Sequence, residues 1–382
     1  MSNTQIRPIE DEDIPEFLDL VDNYLSEISN ELWDTDWFRW KYDQNPWTPE
    51  IAATVAVEDG EIIGGVGFVP VPMEFEGSEF LGISPTDLVI HPDHRGGMTF
   101  SELVERGMEE FADHNTWLTY GQPREDTVDV WTRLRGWSEV ETVPRSWRIN
   151  RIQTFVGDLT ENKLLSTLSM AGQPIFLSAN LIDRATRKST DPSVTVSAYE
   201  SVPSELLQDL YETISPSGLQ INRNKQFYEW RLSKASHADY RTFVARKDGD
   251  VVGALTTSQW RTQDVVKIVD LLPINCDSPT DKAIVRSLVV VALKAHRKNG
   301  AIRASLSLPE EILAEFGFVR TRQMKQLMEW GPLAELAGEA VPSWDLHFAG
   351  KVLEQADLTS EEAERMLDWR QWNFTGIEID TA

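Results

Sequence analysis

Asp87 stands at the head of a short apolar run, Leu88-Val89-Ile90, that stops at His91-Pro92 and is followed by Asp93-His94-Arg95-Gly96-Gly97. The branched residues favour a strand, and the proline ends it. From Met98 onward Phe100, Leu103, Val104, Gly107, Met108 and Phe111 recur at helical spacing, the stripe of a helix lying on a sheet. A strand, a glycine loop and a helix start gather free backbone N–H groups at one point. The helix dipole adds positive potential there, so the turn can hold a phosphate or pyrophosphate. Asp87 places a carboxylate beside the strand, and Tyr120 and Glu125 offer further groups that could move a proton. His91 and His94 flank the loop and read as turn residues. The six histidines and the single cysteine form no cluster at metal-ligand spacing, so no metal is expected.

The surrounding elements can be read from pattern. Gln5 to Pro15 reads as a strand, an acidic turn and the start of a helix over about 12–28, with Ile14, Phe17, Leu18, Val21 and Leu25 on one face. An aromatic segment, Trp37-Phe38-Arg39-Trp40-Lys41-Tyr42, reads as a core or cleft wall. Strands Ala52–Val57 and Ile62–Val69 flank Asp59-Gly60, a strong hairpin signal. Another strand is expected near Glu79–Ile83, and one at Trp117–Gly121. A short helix over Val128–Arg135 ends at Gly136-Trp137, and strands near Glu139–Val143 and Trp147–Ile152 close the region.

Strand, Pro-x-x-Arg-Gly, helix, set in this order of elements from residue 5 to 152, resembles the GNAT (Gcn5-related) family of N-acetyltransferases. The resemblance implies acetyl-CoA as co-substrate. Leu88, Val89 and Ile90 would pair with pantetheine, and the loop Arg95, Gly96, Gly97, Met98, Thr99 and Phe100 would take the pyrophosphate. Met98 and Phe100 depart from the small residues usual in the family. The oxyanion of the tetrahedral intermediate would meet a backbone N–H at Val89 or Ile90. An acceptor amine with a pKa near about 10.4 must lose a proton, so a base or water relay is needed. Asp87 and Glu125 (with Asp126) are the candidate bases. Many members use a tyrosine before the Gly-aromatic pair as acid; here Trp131 to Arg135 contains none, and Tyr120 is the candidate substitute.

The second half repeats the first. The turns Asp59-Gly60 and Asp248-Gly249 lie 189 residues apart, and Trp40 and Trp230 lie 190 apart. Two copies of one unit account for a near-constant offset. In the second copy the run Val266–Leu272 leads into Pro273 to Pro279 with neither the arginine nor a glycine, so its cofactor site is expected to be lost. The expected fold class is α/β: two tandem GNAT-like domains, each a mixed, mostly antiparallel sheet flanked by helices. The expected boundaries are 1–152 for the acetyltransferase domain, 153–193 for a linker with helical character at Lys163–Met170, 194–332 for the degenerate copy and 333–382 for a helical tail. The layout is similar to tandem-GNAT acetyltransferases.

With 36 basic against 62 acidic residues the formal charge is −26, which argues against nucleic-acid and anionic-membrane partners. Near 1 M salt the Debye length falls to about 3 Å and the self-repulsion is screened, so the composition reads as that of a halophile. One cysteine, Cys276, excludes an internal disulfide framework; with no signal-like segment and no apolar run near the roughly 20 residues of a membrane span, a cytoplasmic protein is expected. A small amine or amino sugar is the expected acceptor. The alternatives are a non-catalytic CoA-binding scaffold and an aminoacyl-tRNA-dependent tandem-GNAT transferase, the latter opposed by the acidic surface.

Overall fold

The computed structural model describes residues 4–377 apart from 26–32, 49, 112–113, 124, 126, 135, 152–189, 215–216, 234–237, 261–263, 277, 305–307, 322 and 324–344. The expected helix Lys163–Met170 lies outside the described residues.

Strands β1 (Gln5–Pro8), β2 (Ala53–Glu58), β3 (Glu61–Phe75) and β4 (Ser78–Ile90) form an antiparallel meander, and β5 (Thr116–Gly121) joins it in parallel. Asp59 and Gly60 at the β2–β3 turn both have positive φ, as their side chains allow. The segments expected as separate strands at Glu79–Ile83 and Leu88–Ile90 are one bulged strand. Helices α1 (Ile14–Leu25), α2 (Thr35–Phe38), α3 (Thr99–Glu109) and α4 (Val128–Thr132) complete the first half. Asp34 caps α2 by accepting from the Trp37 N–H at 2.8 Å, and the helix runs into a π-helical turn, Arg39–Asp43.

The second half repeats this order with β8 (Val194–Tyr199), β10 (Ala238–Lys247), β11 (Asp250–Trp260), β12 (Val265–Leu272) and β13 (Ala301–Ala304). The two sheets exchange strands. β7 (Ser146–Ile149) pairs with β13 and with β14 (Val319–Arg320) in the second sheet, while β15 (Leu346–Val352) inserts between β5 and β6 (Ser138–Val143) in the first. The strand expected at Trp147–Ile152 thus does not close the leading sheet: Ser146–Ile149 pairs in the second, and the tail expected to be helical supplies the first with a strand. Val143-Pro144-Arg145 explains the departure of β7. Proline fixes φ, lacks an N–H and holds the preceding residue extended, where a two-residue hairpin would want Gly, Asn or Asp. The expected tail helix forms at Ser360–Met366, capped by Thr359 with Glu362 reaching back.

A short strand, β9 (Gln220–Ile221), also crosses to pair with β3. One apolar cluster consequently runs through both halves, from Phe17 and Phe38 to Trp230, Leu272, Phe348 and Phe374. At its centre Trp40 and Trp230 stack at 5.8 Å, and each indole N–H donates to the other's carbonyl, at 2.8 and 2.9 Å. Reciprocal bonds of this kind mark a local two-fold relation between the halves.

Candidate functional site

Strand β4 pairs with β5 only from Leu81 to Ile83 and then runs on to Ile90. Beyond Ile83 the two strands part, leaving a wedge beside Ser84–Ile90. The His91 N–H donates to Ile63 O at 2.9 Å, on the β3 side. Alternation along the strand turns the N–H and C=O of Ile90 the other way, toward the wedge. Arg95 Nε donates to that Ile90 carbonyl at 2.9 Å, which brings its guanidinium to the mouth of the wedge.

The loop leaves β4 by a single turn, Pro92–His94. His94 Nδ1 lies 3.0 Å from Glu58 Oε2, and the His91 ring meets Tyr24 edge-on at 5.2 Å, so both histidines anchor the turn. Gly96 has φ +87°, a left-handed conformation that glycine adopts without steric cost. Helix α3 then begins at Thr99 with no side chain capping its first N–H groups. Met98 extends into solvent, 70 % exposed, and Phe100 packs edge-on against Trp131 at 5.1 Å. The two departures from the small-residue pattern thus leave the glycines and the helix start accessible.

Asp87 lies at the bulge where β4 changes register against β3, with φ +51°. Its Oδ2 accepts from Lys41 Nζ at 2.6 Å and from the Tyr42 hydroxyl, which also meets Thr86 Oγ1 at 2.9 Å. Lys41 and Tyr42 are fully buried, and Lys41 Nζ sits over the Trp37 ring at 4.6 Å. Burial and then the charge of Asp87 push the Tyr42 phenol well above its usual range, so it remains a donor throughout the neutral range. Sequence reading placed Asp87 here and missed Lys41 and Tyr42. The signal was a lysine inside an aromatic run, since a buried ammonium needs a partner.

Tyr120 is fully buried on the opposite side of the sheet from α3, its ring meeting Phe374 at 5.6 Å and Trp372 at 6.1 Å. This packing seats its ring in the core shared by the halves. Glu125 is exposed in the loop after β5; Arg124 and Asp126 lie outside the described residues. On the α3 face a cavity of about 330 Å³ opens between α3, β5 and the incoming tail, lined by Val104, Met108, Thr119, Trp137, Lys351 and Leu353.

The matching turn of the second half is closed. β12 leads to the helix Pro279–Ala295, whose start is capped by Ser278 Oγ accepting from the Asp281 N–H at 3.0 Å. Asp281 Oδ2 accepts in return from the Ser278 hydroxyl at 2.6 Å. Among the described residues no group of three His, Cys, Asp or Glu side chains could hold a metal, and no helix is long and apolar enough to cross a membrane.

An eight-strand sheet whose fourth and fifth strands part above a glycine turn, followed by a seven-strand sheet with which it exchanges strands, has the fold of tandem GNAT-like domains. Residues 5–138 match the family model of an acetyltransferase (GNAT) domain, and the leading half is a GNAT domain. No curated protein matches this chain in sequence. A GCN5-related N-acetyltransferase from Anabaena variabilis is similar in structure, with TM-score 0.56 and 10% identity over 91% of this chain and 72% of its own. A tandem GNAT protein from the clavulanic acid biosynthesis pathway superposes with TM-score 0.52 at 10% identity, covering 94% of this chain and 100% of its own. Saccharomyces cerevisiae N-myristoyltransferase with bound myristoyl-CoA gives 0.57 at 11% identity, over 98% and 89%.

Proposed function

We propose that the leading half binds acetyl-CoA and transfers its acetyl group to an amine, a small molecule or amino sugar. The observation that carries this reading is the conjunction of the unpaired β4 edge with the uncapped start of α3. Pantetheine would add to the edge at Leu88–Ile90 as an extra strand, while the diphosphate would sit on the amides of Gly96 to Phe100 with Arg95 beside it. The acceptor nitrogen attacks the thioester carbonyl, the oxyanion meets the Ile90 N–H, and the C–S bond breaks to release CoA thiolate. A thiol of pKa near about 8.5 departs without obligatory protonation, so the reaction does not require Tyr120 as acid. The proton shed by the amine passes to water or to Glu125 at the open end of β5. The second half supports the first through the exchanged strands and the shared core.

Calorimetric titration of acetyl-CoA in high salt, which also screens the acidic surface, tests the donor assignment. Wild type should bind, and Arg95→Glu should weaken binding at least tenfold. A wild type that takes up no acetyl-CoA would refute it. A non-catalytic CoA-binding scaffold is the second reading, favoured by the burial of Tyr120. CoA release with any member of an amine panel would rule it out.

A further inference from the structure

The Lys41–Tyr42–Asp87 cluster has no task in the transfer chemistry, yet it is built into the strand that the donor must use. Asp87 adopts a left-handed φ, as Asp does more readily than most residues, but here within a strand rather than at a turn. The bulge at Asp87 shifts the pairing of β4 with β3 from Gly67↔Thr86 to Gly65↔Val89. A shift of this kind re-aims every residue that follows, here Leu88 to Ile90. What imposes it comes from below: Lys41 and Tyr42 both hold Oδ2 of Asp87. Gly67 is what lets Tyr42 reach, because a Cβ on Gly67 would fall inside the Tyr42 ring. The two gripping residues ride on the π-helical turn Arg39–Asp43, and the residue before them, Trp40, is locked to Trp230 of the second half. π-Helical turns recur at functional sites.

In the second half Asp270, at the corresponding height of β12, is likewise held by a tyrosine hydroxyl (Tyr228, 3.0 Å) and a cation (Arg223 Nε, 3.3 Å). Asp270 is not among the positive-φ residues, and its strand leads to a capped helix. The grip, and a register shift beside it, are common to both halves; the left-handed φ belongs to the first.

We infer that Lys41 and Tyr42 are positioning residues that clamp Asp87 in its left-handed bulge and so set the free edge of β4 for the thioester, with the second half bracing the clamp through Trp230. This rests on the donor-site reading, so its test carries a readout independent of the donor. Hydrogen exchange of the full-length chain should show the amides of Val89 and His91, which face β3, exchanging faster in Tyr42→Phe and in Gly67→Ala, with the ladder between β2 and β3 unchanged in Tyr42→Phe. Acetyl-CoA affinity should fall about tenfold in Tyr42→Phe while the shape of the pH–rate profile stays the same. A profile that loses a limb, with donor affinity kept, would instead make Tyr42 or Asp87 an acid–base group and overturn the clamp. Two double variants remove the same charges and differ only at the bulge: Lys41→Met/Asp87→Gly and Lys41→Met/Asp87→Ala. Glycine takes the left-handed φ freely, so the first should bind acetyl-CoA at least fivefold more tightly than the second. Equal affinities, or unaltered exchange at Val89 and His91 in Tyr42→Phe, would overturn the inference. If wild type binds no acetyl-CoA, the donor reading fails, and the exchange data alone decide whether the clamp exists.

Discussion

The two halves begin their central helices in opposite ways. In the second half the helix Pro279–Ala295 starts with proline and is closed by the reciprocal Ser278–Asp281 cap, so its first N–H groups are spent internally. In the first half α3 starts behind two glycines with no capping side chain, forgoing about 1 kcal/mol that a cap would contribute. A helix that only supports the fold has every reason to keep the cap; one that must receive an anion has to leave the site open. The sheets do not carry this contrast: β4 parts from β5 after Ile83 and β12 from β13 after Ile268, so the difference lies in the helix starts.

The largest test of this division concerns the exchanged strands, which make the supporting half indispensable. Ending the chain after Asp345 removes β15 with Phe348, and also Trp372, Phe374 and Ile377 from the shared core. At about 1.5–3 kcal/mol for each large buried side chain, the loss consumes most of a typical stability of about 5–15 kcal/mol. The truncated chain should therefore show no cooperative urea transition, and Phe348→Ala alone should cost about 3–5 kcal/mol. A truncated chain that still unfolds cooperatively and binds acetyl-CoA would show that the first half stands alone. A smaller effect separates the helix starts. Met98→Asp should stabilise the chain by about 0.3–1 kcal/mol through the α3 dipole and yet weaken acetyl-CoA at least tenfold. Ser278→Ala should do the reverse, losing about 1 kcal/mol with donor affinity unchanged. If both variants moved affinity alike, the two turns would not differ in function.

Much of this was legible in the sequence because it rests on local rules. The hairpin turns at Asp59-Gly60 and Asp248-Gly249, the strand–glycine–helix turn at 88–100, and the missing glycines after Leu272 all follow from residue type and spacing. The strand exchange was not legible: a strand declares its apolar alternation, not its neighbour, and Ser146–Ile149 and Leu346–Val352 would satisfy either sheet. The burial of Tyr120 was not legible for a related reason, because neither the face of β5 it occupies nor the Trp372–Phe374 cluster that covers it is encoded locally. The Lys41–Asp87 pair joins residues 46 apart through a bulge, and nothing in the spacing of either segment announces it.

The halves should also differ in their response to acid. In the first half burial pushes the Tyr42 phenol above its usual range, so it keeps its proton between pH 5 and 8. In the second half His296 ends the helix Pro279–Ala295, with Nε2 3.0 Å from Thr257 Oγ1 and its carbonyl accepting from Asn150, just beyond the exchanged β7. Burial lowers its pKa, Arg241 nearby works in the same direction, and Asn299 and Glu200 oppose. The folded state thus prefers neutral His296, whereas the unfolded chain takes up the proton near its ordinary value of about 6.5. The unfolded state binds more protons as pH falls through that value, so stability drops, by at most about 1.4 kcal/mol per pH unit from this one group. Urea midpoints at pH 7 and pH 5 should therefore differ more in wild type than in His296→Gln. Acetyl-CoA affinity at pH 7 should be the same in both if, as proposed, the donor binds in the first half alone. Equal pH slopes would mean that His296 is not kept neutral by burial, and a change in donor affinity would mean that the second half reaches into the site rather than merely holding it.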